Sequence, residues 1–246
     1  MITIAFYNLK GGVGKTAATI NVAYLAAQNG YKTLVWDLDP QGATSYFFET
    51  SPRIKNEFRK IVTAELELSS AVVPTAYENI SIIPSDLSAR QIDIALDHEK
   101  QPKKKIASQL NTVKKEFDLV LLDCPPGISL LHDNVFYAAD KIIMPNIPTT
   151  LSIRSFEIVN EYFNEHGFDV DKIKCFFNMV DHRKNLHHEV MNTFYKNKIF
   201  FKSYIPYLSD VEKMNIRKEP LEVAAPGSYA AQCYRDLWAE IKKYCL

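Results

Sequence analysis

The sequence lacks the features that mark exported, membrane-embedded or disulfide-stabilised proteins. Its four cysteines include no C-x-x-C pair, so neither a disulfide framework nor a zinc site is indicated. No apolar run approaches the roughly 18 residues that a membrane-spanning helix needs. The opening "MITIAFYN" is strand-like and has no signal-peptide layout. We therefore expect a cytoplasmic protein.

The chain also lacks net charge, with 29 Lys and Arg against 29 Asp and Glu. This balance argues against a protein coated by nucleic acid, but it leaves room for a local basic patch. Residues 172–218 carry ten Lys or Arg against four Asp or Glu, so the rest of the chain is net negative. With 246 residues, 47% of them hydrophobic, and no linker or repeat, the chain predicts one domain over residues 1–246.

Short apolar runs alternate with longer stretches of helical spacing. The strand-like runs are 2–7, 33–37, 80–84, 118–123, 141–145, 173–178 and 201–206. The helical stretches are 15–29, 87–98, 103–116, 151–166, 186–197 and 228–244. This alternation predicts an α/β fold, a single doubly wound and mostly parallel sheet with helices on both faces. Gly30 and Gly167 are expected to end helices in a left-handed conformation.

The string "GGVGKT" at 11–16 follows the first strand and opens a helix, which is the setting of a phosphate-binding loop. Glycines allow backbone N–H groups to close around phosphate oxygens. Lys15 should neutralise the β- and γ-phosphates, and Thr16 should bind Mg²⁺. A glycine-rich turn that merely packs a helix on a strand would need neither residue. The usual first glycine is replaced by Leu9, and an extra lysine, Lys10, follows it.

Three aspartates lie at the ends of predicted strands. Asp37 and Asp39 lie in "VWDLDPQGATS", and Asp123 ends the apolar run of "DLVLLDCPPG", whose prolines and Gly127 predict a stiff turn beside the γ-phosphate. Residues two apart on a strand share a face, and ligands bind at the carboxyl edge of such sheets. Each aspartate alone could be a helix cap or a turn residue. Together with the phosphate loop, they predict a magnesium–nucleotide site.

The motifs "KGGVGKT", "DLDPQGATS" and "LLDCPPG", in this order, resemble the ParA/MinD family of deviant Walker-A ATPases, and specifically its ParA/Soj branch. The resemblance implies a P-loop NTPase fold, ATP and Mg²⁺ as cofactors, and hydrolysis of ATP to ADP and phosphate. It further implies that Lys10 reaches the nucleotide of a partner subunit, so that ATP is sandwiched in a homodimer. A solvated loop lysine, or a contact within its own subunit, is the alternative for Lys10.

The resemblance also implies roles for individual residues. Asp39 should orient or activate the attacking water, with Lys10 and Lys15 compensating phosphate charge. The Mg²⁺ shell is expected at Thr16, Asp37, Asp39 and Asp123. Nucleotide contacts are expected at Lys10, Gly11, Gly12, Val13, Gly14, Lys15, Thr16, Ala17, Asp123, Asn178 and Pro206. No arginine finger is evident in these loops, so we expect slow turnover that a partner protein raises.

In the ParA branch, basic residues of the C-terminal half bind DNA without sequence preference. The candidates in this sequence are Arg183, Lys184, Lys213, Arg217 and Lys218. Contacts of this kind would make binding strongly salt-dependent. Solvated lysines on exposed helix faces are the alternative. The segment "IPYLSDVEKMNIRKEP" moves or loses the arginines that Soj-like proteins typically carry there.

The function that follows is a nucleoid-associated ATPase that positions a plasmid, a chromosome or another cargo and is stimulated by a ParB-like adaptor. One alternative is a MinD-like ATPase on a membrane, because "YAAQCYRDLWAEIKKYCL" at 229–246 combines apolar residues with two lysines. Asp236 and Glu240 interrupt that basic face, and we expect no membrane partner. A ParA-like positioner of a protein cargo is the other alternative. No motif identifies the adaptor or the cargo.

Overall fold

The computed structural model describes residues 1–54 and 56–245. Its strands are β1 (Ile2–Phe6), β2 (Thr33–Asp37), β3 (Val73–Pro74), β4 (Ile80–Ile83), β5 (Leu119–Asp123), β6 (Lys141–Asn146), β7 (Ile173–Val180) and β8 (Phe200–Pro206). They form one eight-stranded sheet in the order β3-β4-β2-β5-β1-β6-β7-β8. Every neighbouring pair is parallel except β3 with β4. The predicted doubly wound, mostly parallel α/β fold is confirmed.

Helices connect these strands and cover both faces of the sheet. They are α1 (Lys15–Gln28), α2 (Ala43–Phe47), α3 (Glu57–Val62), α4 (Ile92–Asp97), α5 (Lys105–Thr112), α6 (Leu130–Ala138), α7 (Thr150–His166), α8 (Asn185–Phe194), α9 (Ser209–Arg217), α10 (Leu221–Ala224) and α11 (Tyr229–Cys245). Gly30 and Gly167 follow α1 and α7 with φ values of 85° and 72°, the left-handed conformation that glycine adopts at little cost.

The sheet separates two apolar cores, and the alternation of side chains along β5 shows how. Val120 and Leu122 pack into the core that α6 and α7 cover, whereas Leu119 and Leu121 pack into the core that α1 and α11 cover. Because both faces are covered, all five residues of β5 are buried. This double burial is why the strand reads as a continuous apolar run rather than as an alternating one.

The seven strand-like runs all form strands, but the helical prediction missed elements. The stretch 87–98 is a 3₁₀ turn over Leu87–Gln91 followed by α4, and 103–116 shortens to α5. Helix α6 was not predicted, because its polar residues, 132–134, are consecutive and buried and therefore set no helical period. The short elements α2, α3, α9, α10 and β3 were also missed.

The last helix bears on the membrane alternative. Helix α11 buries four apolar side chains in the protein core, where they pack with residues of α1 and β8: Tyr234, Leu237, Trp238 and Ile241. The apolar face that a lipid-binding helix would need is therefore already buried in the protein. Leu246, the last residue of the stretch that suggested this alternative, lies outside the described residues. Among the described residues, no helix is both long and apolar enough to cross a bilayer.

Candidate nucleotide site

The predicted motifs meet at one edge of the sheet. Strands β2, β5 and β1 are adjacent and parallel, so their carboxyl ends lie side by side. Asp123 is the register partner of Phe6 on one side and of Asp37 on the other. The loops after β1, β2 and β5 are thus neighbours at the edge where ligands bind in open α/β sheets.

The loop "GGVGKT" has the backbone that its glycines allow. Gly12 and Gly14 have φ values of 71° and 91°, in the left-handed region, and α1 begins directly after Gly14. A Cβ on Gly14 would lie 2.0 Å from Nδ2 of Asn178, so space as well as conformation requires glycine there. The same Nδ2 donates a hydrogen bond of 2.7 Å to the carbonyl of Val13. Asn178, which the family resemblance places among the nucleotide contacts, therefore supports the loop itself.

The residues that depart from the usual phosphate-loop pattern also have defined places. Leu9 packs against the apolar core, and its carbonyl accepts a hydrogen bond from the N–H of Gly127 at 3.1 Å. The N–H of Lys10 donates to Oδ1 of Asn8 at 2.9 Å. The carbonyl of Lys10 accepts from Nζ of Lys15 at 3.0 Å, and burial lowers the pKa of this buried ammonium. Leu9 thus anchors the loop, while Lys10 positions Lys15 through its main chain.

Two buried carboxylates lie beside the loop. Oδ2 of Asp123 accepts hydrogen bonds from the hydroxyls of Thr16, at 2.8 Å, and Thr44, at 2.6 Å. Oδ1 of Asp123 is buried and has no hydrogen-bond partner among the described residues. Oδ2 of Asp37 accepts from the N–H and the hydroxyl of Ser45, at 2.8 Å and 2.6 Å. Burial raises the pKa of both carboxyl groups, and for Asp37 the charge of Asp123 adds to the effect.

Asp39 has a different setting from Asp37. Strand β2 ends at Asp37, and Asp39 lies beyond it in a turn, so the expectation that both carboxylates leave one strand face was wrong. The N–H of Asp39 donates to Oδ1 of Asp37 at 3.2 Å, and Oδ1 of Asp39 accepts from the N–H of Gln41 at 2.9 Å. The side chain of Asp39 is half-buried at the rim of the site, whereas Asp37 is fully buried.

Comparison with known proteins agrees with this geometry. A family model described as an AAA domain (AAA_31) matches residues 1–167, about two thirds of the chain. The chain belongs to this family, as an ATPase of the ParA/Soj type. It is 26% identical over 249 residues to the sporulation initiation inhibitor protein Soj of Bacillus subtilis, covering 97% of each chain. It is 28% identical over 241 residues to the chromosome-partitioning ATPase Soj of Treponema pallidum, covering 94% of this chain and 91% of that one.

The fold of this ParA/Soj-type ATPase is also found in solved structures. A plasmid partition protein of Borrelia burgdorferi B31, solved with AMPPNP, superposes with a TM-score of 0.87 at 19% identity and 98% coverage of both chains. With relatives of this kind over nearly its whole length, the chain is a ParA-like positioning ATPase.

Sequence reasoning missed two polar residues of the site in this ParA/Soj-type ATPase. Thr44 and Ser45, in the string "GATS", form the hydrogen bonds to Asp123 and Asp37 described above, and the hydroxyl of Ser45 also accepts from the N–H of Ser85 at 2.9 Å. They begin α2, the short helix after the turn that holds Asp39. The available signal was two hydroxyl residues in a loop that follows a strand-ending aspartate.

The basic candidates of the ParA/Soj-type ATPase fall into two groups. Arg183 and Lys184 lie in the turn between β7 and α8, and Arg183 makes a bidentate pair with Asp181 at 2.9 Å and 3.0 Å. This pairing holds the pKa of Asp181 well below its usual range. The side chain of Arg183 is nevertheless 86% exposed, so its outer face is open to a further anion.

The other three candidates lie on or directly after α9. Nζ of Lys213 is 3.9 Å from a carboxylate oxygen within the same helix, and Arg217 donates to a carbonyl of α10 at 3.1 Å. Lys218 pairs with Glu49 at 2.9 Å, and its ammonium lies 4.2 Å from the ring centroid of Tyr46. Lys218 therefore joins the end of α9 to the segment after α2 and is less available to DNA than the sequence suggested.

Proposed function

We propose that this ATPase dimerises around ATP, binds DNA without sequence preference in that state, and moves a plasmid, chromosome or other cargo when a ParB-like adaptor stimulates hydrolysis. One observation carries the dimer. The two lysines of the phosphate loop differ in setting: Lys15 is buried and bonded to the loop, whereas Lys10 is half-buried and its ammonium has no partner among the described residues. An unpaired ammonium beside the phosphate loop could form an ion pair with a phosphate held by a second copy of the chain.

The residues present fit a magnesium–nucleotide complex. The unpartnered Oδ1 of Asp123 is a buried, acceptor-only oxygen, and oxygen ligands are what Mg²⁺ prefers. Thr16, Asp37, Asp39 and Asp123 would hold the ion directly or through water. The ion would supply charge compensation to the phosphates. Among the structural relatives, MinD of Pyrococcus horikoshii, which superposes with a TM-score of 0.79 at 20% identity, was solved with Mg-ADP.

The remaining contacts with the nucleotide would come from the phosphate loop, from the ends of β7 and β8, and from the turn after β2. The backbone of residues 11–17 would surround the phosphates, with Lys15 directed at them from within. Asn178 and Pro206 lie at the carboxyl ends of β7 and β8, on the same sheet edge, and would border the base. Asp39 would orient the attacking water, because it is half-buried at the rim and its Oδ2 has no partner among the described residues.

Exposed apolar side chains on the same edge support a second copy of the chain as the partner. Leu151, Leu186 and Tyr207 follow β6, β7 and β8, and they are 70%, 45% and 56% exposed. Residues of this size at the rim of a nucleotide site would be covered in an ATP-sandwich dimer. Arg183 and Lys184 lie in the turn after β7, at the same edge of the sheet. Each subunit of the dimer would therefore contribute this pair to a basic surface.

The experiment is binding of the purified protein to nonspecific duplex DNA without nucleotide, with ADP and with ATP–Mg²⁺, each over a salt series. Binding that requires ATP and weakens steeply as salt rises supports the proposal, because released counterions are the signature of phosphate contacts. Equal binding in all three states would separate DNA binding from the nucleotide cycle. No binding in any state would overturn the DNA part of the proposal, and ATP-dependent binding to anionic vesicles would favour a MinD-like function.

A further inference from the structure

The turn after β5, residues 125–129, is held by two side chains that no motif of this site includes. Tyr7 is the residue that leads from β1 into the phosphate loop, and it is fully buried. Its hydroxyl donates a hydrogen bond of 2.8 Å to the carbonyl of Gly127. Burial raises the pKa of Tyr7, so the hydroxyl keeps its proton and remains a donor.

Gly127 is therefore bound to the phosphate-loop segment at both of its backbone polar groups. Its N–H donates to the carbonyl of Leu9 at 3.1 Å, and its carbonyl accepts from Tyr7. Its φ of 107° lies in a region that non-glycine residues rarely adopt, and a Cβ there would meet no atom within 4 Å. The glycine is needed for its conformation rather than for space.

His132 holds the same turn from the other side. It is a buried residue of the first turns of α6, and its Nε2 lies 3.0 Å from the carbonyl of Pro125. Its Nδ1 lies 3.0 Å from the hydroxyl of Ser129. Because a carbonyl can only accept, Nε2 carries the proton, and Nδ1 accepts from Ser129. Burial lowers the pKa of His132, which keeps the ring in this neutral form.

The two side chains also contact each other. The ring centroids of Tyr7 and His132 are 5.3 Å apart. Both rings pack against Phe136, with centroid distances of 5.0 Å for Tyr7 and 6.4 Å for His132. The phosphate loop, the turn and the start of α6 are thus connected through one buried aromatic cluster.

We propose that Tyr7 and His132 are positioning residues for ATP hydrolysis: together they hold the 125–129 turn in the arrangement that acts on the γ-phosphate in the transition state. The inference rests on the proposed nucleotide site. It goes beyond the recognised motifs, because neither residue belongs to them. Neither side chain is expected to touch the nucleotide. Their removal should therefore reduce kcat while nucleotide affinity, which depends on the backbone N–H groups and Lys15 of residues 11–17, is retained.

The test compares variants that delete these hydrogen bonds with one variant that can keep them. Tyr7→Phe removes one oxygen, His132→Phe removes both ring nitrogens, and His132→Gln restores one donor and one acceptor. The matched control is Tyr162→Phe: this ring also packs on Phe136, but its hydroxyl donates at 2.7 Å to Asp133 and makes no hydrogen bond to the 125–129 turn among the described residues. Steady-state kcat, ATP affinity and Tm are measured for each variant.

We expect kcat to fall about tenfold in Tyr7→Phe and in His132→Phe with ATP affinity within about twofold of wild type, since one hydrogen bond effective only in the transition state is worth about that factor. His132→Gln should recover part of the loss, and Tyr162→Phe should match wild type. Affinity for ADP–aluminium fluoride should fall in parallel with kcat, while affinity for ADP stays constant.

Two results would overturn the inference. One is wild-type kcat in both Tyr7→Phe and His132→Phe. The other is a loss of kcat that follows Tm and appears equally in Tyr162→Phe, which would mean that the cluster is only structural. The wild-type measurements test the underlying function separately: a wild-type protein that neither binds nor hydrolyses ATP would refute the proposed nucleotide site, whereas an active wild type with unaffected variants refutes only the roles of Tyr7 and His132.

Discussion

Asp37 and Asp123 are direct neighbours across β2 and β5, and both are almost completely buried. Two carboxylates so close together in a buried site repel each other when both are ionised. Their hydrogen bonds to Ser45, Thr16 and Thr44 compensate only in part, because Oδ1 of Asp123 has no partner among the described residues. The ammonium of Lys15 offsets part of this repulsion, and a bound cation should offset more of it and stabilise the fold.

The first prediction is that Asp37→Asn stabilises the nucleotide-free protein at pH 8. Burial raises the pKa of Asp37 to about 7, above its value in the unfolded chain. Between these values the folded state binds more protons than the unfolded state, so its stability falls as pH rises through the window and is lowest above it. The Tm difference between variant and wild type should be larger at pH 8 than at pH 5 and should vanish below pH 4.

The control for this prediction is Glu116→Gln, which neutralises an exposed carboxylate far from the site and should change Tm little at either pH. Addition of Mg²⁺ should raise the Tm of wild type more than that of Asp37→Asn. A variant that is less stable than wild type at pH 8 would show that the hydrogen bonds of Ser45 outweigh the repulsion between the two carboxylates.

The second prediction concerns the dimer. Lys10→Ala should bind ATP with nearly unchanged affinity, because the loop uses the main chain of Lys10 rather than its ammonium. The ATP-dependent dimer should disappear, which light scattering with and without ATP–Mg²⁺ would reveal. Lys15→Ala is the comparison, since it should lose nucleotide binding itself. An ATP-dependent dimer that persists in Lys10→Ala would assign this lysine to its own subunit.

The third prediction is that Asp39→Ala stops hydrolysis without preventing ATP binding. Loss of a group that orients or activates the attacking water costs on the order of 10²-fold or more in kcat. The fold should be unaffected, because Asp39 lies in a half-buried turn outside β2. The dimer should then persist in ATP for much longer than that of wild type. Measured turnover close to the wild-type rate would remove Asp39 from this role.

The sequence predicted every strand except the two-residue β3, and it indicated the phosphate loop, because those features are local. Each buried parallel strand is a continuous apolar run, and the phosphate loop needs its glycines at fixed positions. What it did not predict depends on tertiary contacts. The polar residues of α6 are consecutive and buried, and Thr44 and Ser45 gain their roles only when β2 and β5 place Asp37 beside Asp123. Tyr7 and His132 are 125 positions apart in the sequence, yet both hold one turn.

The last prediction separates the basic residues that would meet DNA from those already engaged. Lys184 follows the exposed Arg183 at the nucleotide edge, so Lys184→Ala should weaken ATP-dependent DNA binding and reduce the salt slope by about 1. Lys218→Ala removes the same charge, but this ammonium pairs with Glu49 and is only 25% exposed, so the slope should not change. The measurement is DNA affinity in ATP–Mg²⁺ at several salt concentrations. Equal changes in both variants would mean that net charge, rather than a defined surface, governs binding, and a larger effect of Lys218→Ala would place the DNA along α9.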